Sequence, residues 1–155
     1  MSFDIFLQCF RRGEPATFER RVFDEIFLPY CTRPDSYRSD PGEMNVEFPD
    51  GSGGQIYPGS EIGDPTDERA EAHKSRDNSK IQGVMFNHCG GGQFFQAMYE
   101  LADRTSAVIF WPSEGPSTVV TKEAVLKELP DDFPKLAEAK IVHNGADIVK
   151  AIEES

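Results

Sequence analysis

The sequence predicts an α+β fold: a two-layer sandwich whose mostly antiparallel sheet is covered by helices, in a split β-α-β or ferredoxin-like arrangement. Three observations lead there. Stretches of strand-like and helix-like apolar spacing follow one another as strand, helix, two or three strands, helix, strand. The 155 residues suit a single domain over 1–155. Hydrophobic residues make up 38% of the chain, with twelve Phe, so a core can form without metal or disulfide.

Residues 3–10 alternate Phe3, Ile5, Leu7 and Cys9 against Asp4, Phe6, Gln8 and Phe10. Both sets are partly apolar, which fits an interior strand. Gly13 and Pro15 then interrupt, and Thr17 is placed to cap a helix over 17–29, with Phe18, Val22, Phe23, Ile26 and Phe27 at helical spacing. Pro34, Asp35, Asp40, Pro41 and Gly42 make 31–43 a connecting loop. Met44-Asn45-Val46-Glu47-Phe48 alternates as a strand, Pro49-Asp50-Gly51 is turn chemistry, and Gln55-Ile56-Tyr57 is the returning strand of a hairpin. Over 58–80 the only large apolar residue is Ile62, so this stretch reads as a polar, mobile surface loop, with a short helix possible over 67–73.

Ile81, Val84, Met85 and Phe86 mark a strand over 81–87. His88-Cys89-Gly90-Gly91-Gly92 leads from it into a helix carrying Phe94, Phe95, Met98, Leu101 and Ala102. Residues 107–111 form an apolar strand, with 117–121 as its hairpin mate. Thr121 is placed to cap a short helix reaching Leu129, and Pro130 and Pro134 bracket its exit. Ile141-Val142 adds a last short strand, and Asn144-Gly145-Ala146-Asp147 opens a helix with Ile148, Val149 and Ile152 on one face.

Acids outnumber bases 27 to 16, a formal net charge of -11. Such a chain repels phosphate backbones and anionic lipids, so neither nucleic acid nor a membrane is an expected partner. A basic protein, by contrast, is steered toward it. The apolar run 107–111 is strand length, far short of the roughly 20 residues of a membrane span. Residues 1–5 show no basic region leading into an apolar stretch with a cleavage site, and Cys9, Cys31 and Cys89 form an odd, scattered set. Reduced thiols and a cytoplasmic location are expected.

The segment to test for chemistry is His88-Cys89-Gly90-Gly91-Gly92. Successive glycines let backbone N–H groups converge, the helix N-terminus adds a positive end, and a thiol there can have a lowered pKa. A tyrosine-phosphatase loop, however, needs Arg six residues after Cys, where this chain has Phe95. Neither Gly-x4-Gly-Lys-Ser/Thr nor Gly-x-Gly-x2-Gly occurs at 90–96. His73, His88 and His143 are far apart in sequence, so no metal and no cofactor is predicted. Asp131-Asp132 and Glu153-Glu154 read as solvated surface, and Ser113-Glu114-Gly115-Pro116-Ser117 lacks a nucleophile elbow. The pairs Phe94-Phe95 and Phe110-Trp111 have members pointing to different faces, which frees Trp111 among others for a partner surface. Tyr30, Tyr37 and Tyr57 are further candidates for it.

The opening Met1-Ser2-Phe3-Asp4-Ile5-Phe6-Leu7-Gln8, the strand and Gly-rich helix start at 84–101, and Val108-Ile109-Phe110-Trp111-Pro112 resemble a family of small uncharacterised bacterial proteins. These pieces cover about a quarter of the chain and imply no activity. In size, acidity and fold class the chain is also similar to immunity proteins, which use negative charge against basic toxins. The expected function is therefore a non-catalytic protein-binding domain, of the immunity type, that meets a basic protein through Glu61, Asp64, Asp67, Glu68, Glu71 and Trp111. The alternative is a small enzyme or anion-ligand-binding domain using Cys89, His88 and the backbone of Gly90, Gly91 and Gly92.

Overall fold

A computed structural model describes residues 4–59, 79–134 and 136–155. Its strands are β1 (Ile5–Arg11), β2 (Glu14–Ala16), β3 (Phe18–Glu19), β4 (Met44–Glu47), β5 (Gly53–Gly59), β6 (Lys80–Ile81), β7 (Gly83–Gly90), β8 (Val108–Phe110), β9 (Thr118–Val120) and β10 (Lys140–Ile141). Five helices accompany them among the described residues: α1 (Arg20–Phe27), α2 (Pro34–Ser39), α3 (Gly92–Thr105), α4 (Glu123–Leu126) and α5 (Gly145–Glu153). The main sheet has eight strands in the order β10-β9-β8-β1-β7-β5-β4, with β2 folded back on β1. All its pairings are antiparallel except β10 with β9 at one edge. The α+β class with a mostly antiparallel, helix-covered sheet is thus the observed one.

β1 is interior, as its two-sided apolar pattern predicts, with β7 on one side and β8 on the other. Ile5, Leu7 and Cys9 face the helices together with Val84, Phe86, Ile56, Met44, Val46, Ile109 and Val119. Against them pack Phe23, Ile26 and Phe27 of α1, Phe94, Met98 and Leu101 of α3, and Ile148 and Ala151 of α5. On the opposite face a second, smaller cluster forms over one half of the sheet, where Val108 and Val120 are covered by Val125, Leu129 and Phe133. Phe10 and Phe110 close its rim, both edge-on to Phe133.

Several boundaries differ from the sequence reading, each for a reason. Arg12 (φ 51) and Gly13 (φ 79) form a two-residue turn that returns the chain as β2, a type I′ geometry that an Arg at its first central position conceals. α1 starts at Arg20 rather than at a Thr17 cap, because Phe18 and Glu19 pair with Ile81 and Lys80 as strands. The predicted loop at 31–43 contains α2, which starts at Pro34 and buries Tyr37. Pro58 and Gly59 complete β5 and Lys80 begins β6, so the predicted polar loop is shorter at both ends. The remainder of that loop, with Glu61, Asp64, Asp67, Glu68, Glu71 and the 67–73 helix, lies outside the described residues.

Thr121 does not cap α4: the chain is still extended at Lys122, and Thr121 Oγ1 is buried without a hydrogen-bond partner among the described residues. Asn144 does cap α5, its side chain accepting from Asp147 N–H at 2.8 Å, while Asp147 reciprocates toward His143 N–H at 2.9 Å. Among the described residues no helix is long and apolar enough to cross a membrane.

Candidate functional site

The His88 to Gly92 segment joins β7 to α3, as its sequence predicts, but its chemistry differs. β7 continues through Gly90, so His88 and Cys89 belong to the strand. Cys89 is half-buried against the main core. Burial, reinforced by the nearby negative charge of Asp4, pushes its thiol from the ordinary 9.0 up to about 12. The expectation of a lowered thiol pKa is therefore reversed: at neutral pH this group is protonated and packs as a small hydrophobe. Cys9 is likewise pushed up to about 11 by burial.

The positive end of α3 is also occupied from within the protein. Asp50 and Ser52, in the turn between β4 and β5, lie over the first turn of this helix. Asp50 Oδ2 accepts from Gln93 N–H at 3.0 Å, and Gln93 Oε1 accepts from Asp50 N–H at 2.8 Å. This is the reciprocal logic of a capping box, made between distant segments. Ser52 Oγ accepts from Phe94 N–H at 3.1 Å and donates to the Asp50 carboxylate. The hydroxyl of Ser52, followed by backbone N–H groups, holds the Asp50 carboxyl below its ordinary value of 3.8. Gly91, at φ 98, has Ser52 pressed where a Cβ would stand, so only glycine fits both the backbone and the space. The helix end that suggested an anion site is thus met by groups the chain supplies itself, through the amides of Gln93 and Phe94 rather than those of Gly90, Gly91 and Gly92.

Trp111, proposed from sequence as a partner contact, is only 3% exposed, and its indole N–H donates to Ser155 Oγ at 3.2 Å. It faces the main core because the strand β8 alternates, and Phe110 takes the opposite face. Phe94 and Phe95 are both buried.

Two surface features emerge that need the register to be seen. On the face of the sheet away from α1 and α3, Phe110, Phe6, Met85 and Tyr57 stand opposite one another on β8, β1, β7 and β5. All four are half-buried, and Phe6 stacks on Phe110 with ring centres 5.5 Å apart. Asn45, Gln55 and Asn87 form the neighbouring row, where Asn87 donates to Asp4 at 2.9 Å and Tyr57 OH donates to Gln55 at 3.0 Å. The result is an apolar stripe four strands wide beside a polar one. Tyr57 was legible as a surface candidate, but the stripe was not.

The second feature is a cleft of about 710 Å³ between α1 and α2. Arg20, 8% exposed, donates from Nη1 to Tyr37 OH at 2.8 Å and to Pro41 O at 3.1 Å. Tyr37 OH in turn donates to Asp24 at 2.6 Å. Burial, then the Asp24 carboxylate, raises the Tyr37 phenol above its ordinary value. These groups are engaged with each other and pin α2 to α1, which removes Tyr37 from the partner-surface candidates.

Among the described residues no three His, Cys, Asp or Glu side chains converge as a metal-ligand set. The chain matches no protein-family model, no curated protein and no solved structure.

Proposed function

We propose that this chain is a non-catalytic binding domain that captures a basic protein, as an immunity-type protein captures its toxin. The observation that carries the reading is the stripe Phe110, Phe6, Met85 and Tyr57 across four neighbouring strands. Aromatic residues and Met are enriched at protein interfaces, and a polar row alongside supplies hydrogen-bonding groups at the rim. A net charge of -11 adds long-range attraction for a basic partner. The acidic residues Glu61, Asp64, Asp67, Glu68 and Glu71 contribute to the same charge. The alternative, catalysis or anion binding at His88, Cys89 and Gly90 to Gly92, gains no support from a protonated thiol and a helix end already capped by Asp50 and Ser52.

Capture from the native host lysate at low and high salt tests the proposal, using the unmodified protein beside Met85→Asp and Tyr57→Asp. A basic protein retained at low salt, released at high salt and lost in both variants is the expected result. Absence of any salt-sensitive partner, or equal retention by the variants, overturns it.

A further inference from the structure

A groove of about 310 Å³ runs between the C-terminal end of α1 and one face of α3. Its floor is aromatic. Tyr30 follows α1 in a short 3-10 turn begun by Leu28 and Pro29, and at 37% exposure it is one of two large apolar residues left open among those described. Its ring stacks on Phe48 with centres 4.4 Å apart, and Phe48 in turn meets Phe94 edge-on at 6.0 Å. Phe48 is buried, so Tyr30 is held from one side and presents its other face outward.

The wall from α3 is polar and its charges are unequal. Arg104 donates to Glu25 at 2.5 Å across the groove, which holds the Glu25 carboxyl below the usual carboxylate range and spends the charge of both. Glu100, one turn before Arg104 on the same wall, has no ion-pair partner among the described residues. The sign of the groove is therefore set by one carboxylate next to an open aromatic face, a combination that attracts an ammonium or guanidinium group and repels anions.

We infer that this groove seats a lysine or arginine side chain of the basic partner, its cation over Tyr30 and against Glu100. The inference rests on the binding reading above and adds the chemistry of one contact. Charge complementarity selects the occupant: among the described residues that line the groove, the one charge without an ion-pair partner is the Glu100 carboxylate, and the chain as a whole is strongly acidic. A planar guanidinium can stack on the ring while bonding the carboxylate, so arginine binds better than lysine.

N-acetyl-arginine amide, N-acetyl-lysine amide and N-acetyl-glutamate amide, titrated separately and followed by NMR chemical shifts, test the groove without needing the partner. Saturable shifts at Tyr30, Ala97 and Glu100 are expected with arginine, weaker ones with lysine and none with glutamate. Tyr30→Leu and Glu100→Gln, both surface changes, each weaken arginine binding about two- to fivefold, the scale of an exposed cation–π contact or ion pair. Shifts that do not saturate, or that Glu100→Gln leaves unchanged, overturn the inference even if lysate capture succeeds. A saturating groove in a protein that captures no basic partner overturns the binding reading and leaves the groove chemistry standing.

Discussion

Ser52→Ala removes a hydroxyl that holds two segments together, and its effect can be worked out from the contacts. Alanine keeps the Cβ that packs against Gly91, so the substitution isolates the hydrogen bonds. Ser52 is 5% exposed, and Phe94 N–H, which loses its acceptor at 3.1 Å, is buried. An unsatisfied buried donor costs about 1–3 kcal/mol, and loss of a helix N-cap about 0.5–2 kcal/mol. The two ranges describe the same bond, so the expected destabilisation is about 2 kcal/mol. For a protein of this size that lowers Tm by about 4–8 °C. Urea unfolding at unchanged m-value measures the loss, and hydrogen exchange at the Phe94 amide localises it. A loss below about 0.5 kcal/mol with undiminished protection of Phe94 would refute the cap.

Three further outcomes are expected. Asp50 is held below its ordinary value in the folded protein, so its contribution is complete above about pH 4 and fades as pH falls through the lower folded value; acid titration of stability should be shallower in Asp50→Asn, and identical curves would count against it. Gly145→Ala puts a methyl into the backbone of Phe95 and Gln96, where neither side chain can give way, and should cost more than about 2 kcal/mol by thermal unfolding; a neutral result would mean that α5 and α3 do not approach so closely. Alkylation mapped by mass spectrometry should find Cys89 slower than free cysteine at neutral pH, its rate still rising toward about pH 12; a rate at or above that of free cysteine would reinstate a reactive thiol.

Features with local causes were legible. The two-sided apolar pattern of β1, the hairpin in which Val108 faces Val120, and the Asn144 cap all follow from residues a few positions apart or from alternation alone. What could not be read depends on distant partners. The start of α1 is displaced by strand pairing with Lys80 and Ile81, and the cap of α3 comes from 42 and 43 positions away. Both threonines expected as caps, Thr17 and Thr121, have the right side chain in the wrong backbone. The apolar stripe needed register, since Phe6, Tyr57 and Met85 say nothing of one another in sequence. Trp111 and Phe110 were correctly placed on opposite faces, but Trp111 was given the outer one because the sequence does not say which side the helices cover.

The smaller cluster on the outer face has a dynamic consequence. Its cover comes from the one-turn helix α4 and the turns after it, whereas β8 and β9 beneath are held in the sheet and in the main core through Ile109 and Val119. Elements with so few internal hydrogen bonds open at lower free energy than the global unfolding of the domain. When α4 and Phe133 lift away, Phe10 and Phe110 lose the ring that covers them both, and the apolar stripe extends along β1. The area the sheet offers is therefore a property of a local equilibrium, and amide protection at Val125, Glu128 and Leu129 is a measure of how often the wider face is open.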